Sequence, residues 1–301
     1  MSSDQLKTRI TWHLNDYCES ECSYCPIQLR GGAEPPETAD YLRIANLLID
    51  TYRNQNRTID WIFNGGEPLD MKDIVTLLKL CRQNGNSMTL HTNGGKLWMD
   101  WWAIEPYVDD LHLTYHYWQN PSLISYIIDA FTAKSKSYKV FVPVRPDHFD
   151  EDIERALKIE QEHRIVVGKS VLYNHASRDG GMFNYTKEQL AIMSGVKIIK
   201  KETVQTAPLV VEKQKHETVT YVQRLKETIA SNPSYTGKLC NVGIEFLNIS
   251  HTGWAMGSDC NNQPLGNIWH EGWRPPMQPQ ICTMQACMSP SDQRITKFDP
   301  T

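Results

Sequence analysis

The chain has 301 residues, of which 40% are hydrophobic and 22% charged, and a net charge of −4 at neutral pH. Such a chain can bury a sizeable core, in one large domain or in a large and a small one. The acidic balance excludes a global attraction to nucleic acid or anionic membrane. No apolar run approaches the length of a membrane span, and Met1 to Lys7 is too polar for a signal peptide, so a cytoplasmic protein with no membrane contact is expected. Its 8 cysteines then point to metal or cluster ligation rather than to a disulfide framework, because the cytosol keeps thiols reduced.

The first predicted strand is the short alternating run Arg9 to Leu14. Just past it Cys18, Cys22 and Cys25 form CxxxCxxC, with Tyr24 ahead of the third cysteine, which puts three thiolates on one tight loop at a strand end. Three soft thiolates suit an iron-sulfur cluster: four irons need four ligands, and this loop supplies one fewer, leaving one iron open. A zinc site with His13 as fourth ligand is the alternative, although structural zinc usually uses paired C-x2-4-C knuckles.

Helical spacing of Tyr41, Ile44, Ala45, Leu48 and Tyr52 predicts a helix from Ala39 to Asn54, with Thr38 as its N-cap. A second strand, Ile59 to Phe63, ends in Asn64-Gly65-Gly66-Glu67-Pro68. A helix follows from Met71 to Gln83, in which Cys81 reads as a small buried hydrophobe. The third strand, Met88 to Leu90, ends in His91-Thr92-Asn93-Gly94-Gly95, and Lys96 to Tyr107 reads as a helix whose Trp98, Trp101 and Trp102 make a core face. Strands at Leu111 to Tyr115, Tyr138 to Val144 and Ile165 to Tyr173 alternate with helices at Ser122 to Ala133 and Phe149 to His163. Six such strands are the signature of βα units around a parallel sheet, whose loops at the carboxyl ends of the strands build the site.

From His175 to Lys238 the pattern changes to a Gly-bearing polar loop, a short helix near Lys187 to Met193, a β-prone run at Val196 to Val211 and a helix from Glu217 to Ile229. Lys197, Lys200, Lys201, Lys213 and Lys215 cluster there, most simply as a solvated face. Beyond lie Cys240, Cys260, Cys282 and Cys287, a hairpin-like run from Phe246 to Trp254, and Leu265-Gly266-Asn267-Ile268.

The ordered set of CxxxCxxC with an aromatic before the last cysteine, "GGEP" after the second strand and "TNG" after the third resembles the radical S-adenosylmethionine superfamily. The resemblance implies an α/β fold, a partial (β/α)6 TIM-like barrel over residues 1–174, followed by a connector at 175–239. The hairpin flanked by cysteines, then "LGNI", then a closing pair resembles SPASM and twitch extensions. This implies a small auxiliary cluster domain at 240–301, with a 4Fe-4S cluster on Cys240, Cys260, Cys282 and Cys287. The closing pair is CxxxxC rather than CxxC, and a structural tetrathiolate zinc site is the alternative.

In such enzymes a 4Fe-4S cluster, here on Cys18, Cys22 and Cys25, binds S-adenosylmethionine at its open iron. Reduced by a donor such as flavodoxin or ferredoxin, it cleaves the cofactor to a 5'-deoxyadenosyl radical that takes a substrate hydrogen atom. The resemblance places the backbone of Tyr24 at the adenine and the turn Gly65, Gly66, Glu67 and Pro68 at the methionine moiety, with Glu67 near its ammonium. It also places Thr92 and Asn93 in the "TNG" turn at the cofactor, and Thr114 and Arg145 at its carboxylate. For Thr114 and Arg145 a barrel-rim residue and a surface ion pair are the competing readings. The expected function is modification of a peptide or of a nucleic-acid-linked or nucleotide substrate. A peptide or protein maturase forming crosslinks or oxidising side chains is one form of it, and a zinc-stabilised binding module without catalysis is the alternative of another class.

Overall fold

A computed structural model of the chain describes residues 6–20, 22–25, 32, 36–95, 101–173, 181–194, 234–257, 264–287 and 290–300. In chain order β1 (Leu6–His13), α1 (Thr38–Arg53), β2 (Arg57–Asn64), α2 (Ile74–Cys81), β3 (Ser87–Thr92), α3 (Trp101–Ile104), β4 (Asp110–Thr114), α4 (Pro121–Thr132), β5 (Ser137–Pro143), α5 (Phe149–His163) and β6 (Val167–Ser170) are laid down as successive βα units. Then come α6 (Lys187–Met193), β7 (Leu239–Cys240), β8 (Phe246–Ile249), β9 (Ala255–Met256), β10 (Gln280–Ile281), α7 (Pro290–Arg294) and β11 (Lys297–Phe298). The main sheet has the order β6-β5-β4-β3-β2-β1-β8-β9, with β10-β7-β11 as a second, smaller sheet. Strands β1 to β6 are all parallel. Among the described residues β6 and β9 remain edges, so the sheet is open.

The expected hairpin forms, β8 against β9, but it is not confined to the C-terminal segment: β8 pairs parallel with β1, Arg9↔Phe246 to Trp12↔Ile249. The Tyr52 hydroxyl, from α1, donates to the Gly243 carbonyl at 2.5 Å and fastens the same junction.

Several local expectations are corrected. Thr38 is the first helical residue of α1 rather than its cap, because its hydroxyl donates to the Lys72 carbonyl; Glu37 holds the cap position without a side-chain bond. α2 starts at Ile74 because Pro68–Asp70 closes a 3-10 turn and Asp73 adopts a left-handed φ of 53°. The helix expected over Lys96 to Tyr107 is described only from Trp101. It tightens at Ile104 into a 3-10 turn at Pro106, which cannot donate to the α-ladder. Trp101 is buried, whereas Trp102 is 43% exposed and not core, and Trp98 lies outside the described residues. The strand expected over Ile165 to Tyr173 runs only from Val167 to Ser170. α5 and α6 have the expected bounds, α6 through a capping box between Thr186 and Gln189. The β-prone run and helix expected between 196 and 229 lie outside the described residues.

Burial alternates along most of β1 to β5, and the alternation separates two environments. Ile10, Trp12, Trp61, Phe63, Met88, Leu90, Leu111, Leu113, Val140 and Val142 are buried on the face shared with α1's Tyr41, Ile44 and Leu48. The opposite face carries Thr11, His13, Asn64, Thr89, His91, His112 and Thr114, all partly exposed. A parallel sheet covered on both faces reads as continuous apolar runs. The polar second face therefore lines a solvent-reached interior. Cys81 is fully buried on α2, and burial holds its thiol protonated. No helix among the described residues is long and apolar enough to cross a membrane.

Candidate active site

The loop after β1 is bound to the turn after β2 by backbone contacts that only glycine permits. Gly66 N–H donates to the Asn15 carbonyl and Glu67 N–H to that of Tyr17, each at 2.8 Å. A Cβ on Gly66 would lie 2.1 Å from the Tyr17 carbonyl oxygen, and one on Gly65, where φ is +144°, 2.5 Å from that of Asn15. The two glycines thus serve the approach of the cysteine loop, in addition to lining the cavity in front of it.

Glu67 is 1% exposed and joins this turn to the one after β3. Its Oε1 accepts from Leu69 N–H at 2.9 Å and from the Thr92 hydroxyl at 2.6 Å, and its Oε2 accepts from Asn93 N–H at 2.7 Å. Burial raises its pKa to about 7 against the pull of those three donors. The side chain expected to meet a cofactor ammonium is thus held by three protein donors, all within the scaffold.

The three cysteines open on one cavity of about 380 Å³, within the ordinary range of small-molecule sites. Its wall holds Cys18, Cys22, Tyr24, Cys25, Asn64, Gly65, Gly66, Glu67, Thr92, Asn93 and Thr114. Among the described residues no three of His, Cys, Asp and Glu are close enough to share one metal ion. An iron-sulfur cluster asks for less, since each thiolate takes a different iron. Two N–H groups aim at the sulfurs as cluster thiolates require: Trp118 Nε1 lies 3.2 Å from Cys22 Sγ, and Asn93 Nδ2 lies 3.7 Å from Cys18 Sγ. Asn64 Oδ1, in the same wall, is buried with no partner among the described residues and offers an acceptor to a ligand. The residues present therefore fit a three-thiolate cluster with a small polar ligand beside it.

Sequence reasoning missed the segment after β4. His116 lies between two rings, stacked on Tyr24 at 5.9 Å and 13° and on Trp118 at 5.6 Å and 10°. The Tyr24 hydroxyl lies 2.6 Å from His116 Nδ1, a hydrogen bond whose donor is set by the imidazole tautomer, and burial lowers the His116 pKa to about 4, which keeps the ring neutral. Gln119 fixes the segment: its Oε1 accepts from His116 N–H at 2.6 Å and its Nε2 donates to the Asn93 carbonyl. The available signal was His116-Tyr117-Trp118-Gln119 directly behind a strand end. In the same cavity wall His91 lies against His112, with ring centroids 4.3 Å apart and planes tilted by 31°, and burial, then the His112 charge, bring the His91 pKa to about 4.

Arg145 and Pro68 stand outside this wall. Arg145 lines the neighbouring cavity, which shares Tyr24 with the first, and its guanidinium lies over the Tyr117 ring at 4.0 Å. It forks onto Asp152, both bonds at 2.9 Å, and Arg155 reaches the same carboxylate at 2.5 Å. Asp152 is fully buried; burial alone would raise its pKa, but the hydrogen bonds from Arg145 and Arg155 outweigh it and hold the carboxyl below its usual value. The ion pair is therefore interior rather than a surface one. Asp152→Ala is expected to cost about 3 kcal/mol by urea denaturation at neutral pH, because two guanidinium groups lose their shared anion; a loss below about 1 kcal/mol would show that water relieves them. The wild type keeps this contribution above pH 3.8, the ordinary carboxyl value, and loses it as pH falls from there through the lower pKa of Asp152 in the folded protein.

At the other end Cys240, Cys282 and Cys287 are all buried. β7 brings Cys240 between β10 and β11, and Cys282 N–H donates to the Lys238 carbonyl at 2.8 Å. Burial, and the neighbouring thiols of Cys282 and Cys287, raise the Cys240 pKa to about 11, which places the three in one electrostatic neighbourhood. Cys260 lies outside the described residues.

No protein-family model matches the chain, and no curated protein matches it in sequence. Solved structures do. Streptococcus suis SuiB bound to the precursor peptide SuiA is similar over 89% of this chain, with a TM-score of 0.53 and 13% identity. SuiB bound to S-adenosylmethionine matches over the same 89%, with a TM-score of 0.51 and 12% identity. The chain spans 64% and 65% of those two chains. At this identity the likeness establishes a shared fold.

Proposed function

We propose that the chain is a radical S-adenosylmethionine enzyme that modifies a peptide. One observation carries the reading: Cys18, Cys22 and Cys25, held by Gly65 and Gly66, open with Thr92, Asn93 and Thr114 on a single cavity at the carboxyl end of a parallel sheet. The fold is that of SuiB, whose structures hold S-adenosylmethionine in one case and a precursor peptide in another. The peptide form of the reading rests on that likeness.

Cys18, Cys22 and Cys25 would hold a 4Fe-4S cluster that, with S-adenosylmethionine bound, supplies reductive carbon–sulfur cleavage and hydrogen-atom abstraction from substrate. Asn64 Oδ1 offers an acceptor and the Thr114 hydroxyl a donor or acceptor in the cavity wall. Glu67 keeps the second and third turns in register through Thr92 and Asn93, so both turns face the cysteines from fixed positions. The Tyr24, His116 and Trp118 rings close one side of the cysteine loop, and a neutral His116 puts no positive charge beside it. Arg145, paired with Asp152, stands across Tyr24 in the adjoining cavity, where a substrate chain has room.

We further propose that Cys240, Cys282 and Cys287, with Cys260, hold an auxiliary cluster in the C-terminal segment. Anaerobic purification followed by iron, sulfide and zinc analysis, then dithionite-driven turnover of S-adenosylmethionine, tests the assignment. The expected result is a brown protein that releases 5'-deoxyadenosine. A colourless protein with stoichiometric zinc and no cleavage would establish the binding-module alternative instead.

A further inference from the structure

Trp118 is 41% exposed, yet its one polar atom faces inward: the indole N–H points at Cys22 Sγ, 3.2 Å away. An exposed indole ordinarily gives that N–H to water. Here the direction is fixed from both sides. The ring stacks on His116, and His116 stacks on Tyr24, which belongs to the cysteine loop itself. The His116 backbone is in turn anchored through Gln119 to the Asn93 carbonyl on the turn after β3. Asn93 Nδ2 also faces a cysteine sulfur, but at 3.7 Å and with Ser20 Oγ competing at 3.4 Å. The indole therefore makes the shorter contact, and at Cys22 Sγ it is joined by the more distant His116 Nδ1 at 3.8 Å.

We propose that Trp118 is a positioning residue that sets the reduction potential of the cluster on Cys18, Cys22 and Cys25 through its N–H bond to the Cys22 sulfur. This rests on the assignment of an iron-sulfur cluster to those cysteines. A one-electron reductant adds a single negative charge that spreads over the cluster and its sulfurs. No covalent bond is made or broken, and the indole keeps its proton throughout. A hydrogen bond to sulfur stabilises the more negative, reduced form more than the oxidised one, so it raises the potential.

The test is a redox titration of the reconstituted holoprotein, monitored by electron paramagnetic resonance without S-adenosylmethionine, so that it does not depend on activity. Trp118→Phe keeps an aromatic ring for the stack and deletes the donor; Trp118→His restores a ring N–H. Trp118→Phe is expected to retain wild-type iron and sulfide while its reduction equilibrium falls about tenfold, about 59 mV for one electron, with Trp118→His recovering part of the shift. An intact cluster with an unchanged potential in Trp118→Phe overturns the proposal, and so does loss of iron from that variant, which would make the indole a structural prop. A wild type with no iron and sulfide overturns the cluster assignment itself, a result distinct from both.

Discussion

Gly66→Ala is expected to empty the cysteine loop of iron while leaving most of the sheet folded. The added methyl would lie 2.1 Å from the Tyr17 carbonyl oxygen, 2.6 Å from its carbon and 2.9 Å from the carbonyl carbon of Asp16. All three are backbone atoms, so no rotamer change relieves the contact and the loop itself must retreat. Retreat breaks the bonds from Gly66 N–H to Asn15 and from Glu67 N–H to Tyr17. Those bonds are worth about 1 kcal/mol each, and overpacking adds about 1–3 kcal/mol, for a total of about 3–5 kcal/mol. The core on the helix-covered face contains none of these atoms, so a cooperative but lowered thermal transition should remain. Reconstitution followed by iron and sulfide analysis reads the loop, and calorimetry reads the sheet. Iron content at the wild-type level would show that the glycine pair is not what seats the cysteines.

Much of this arrangement is legible in the sequence, because its signals are local. Alternation in Arg9 to Leu14 and Ile59 to Phe63, helical spacing in Tyr41 to Tyr52 and a turn at each strand end are set within a few residues. The alternation carried more than strand identity: in a parallel sheet it marks a polar inner face. What the sequence conceals is contact at long range. Trp118 meets Cys22 across 96 positions, and Tyr52 meets Gly243 across 191. No periodicity reports either. Glycine in "GGEP" signalled close approach, but not that the approaching group is the cysteine-loop backbone. For Glu67 a buried structural carboxylate and a binding carboxylate are the same letter, and the sequence does not report its three donors, which come from two turns. Arg145 carries the same ambiguity, and Asp152, seven positions on in α5, engages it in an interior pair.

The two cysteine groups differ in mechanical surroundings, and that difference separates their variants. Cys22 sits on a loop held by the turns after β2 and β3, and its sulfur is addressed by Trp118. Cys22→Ala should therefore lose the iron of that loop and release 5'-deoxyadenosine at least a hundredfold below wild type, with little change in thermal stability, because a thiol without its iron packs as a small hydrophobe. Cys282 is 3% exposed beside Cys240, Val242 and Phe246, and Phe246 begins the strand that pairs with β1. Cys282→Ala should remove only the C-terminal iron and retain S-adenosylmethionine cleavage, because the loop of Cys22 keeps the contacts described above. It should also lower the thermal midpoint, since that small core contributes to the β8 junction. Iron counted per chain in the two single variants and the double variant decides the matter: additive losses mean two separate clusters. If either single variant loses all of its iron, the groups are interdependent and the assignment of two independent sites fails.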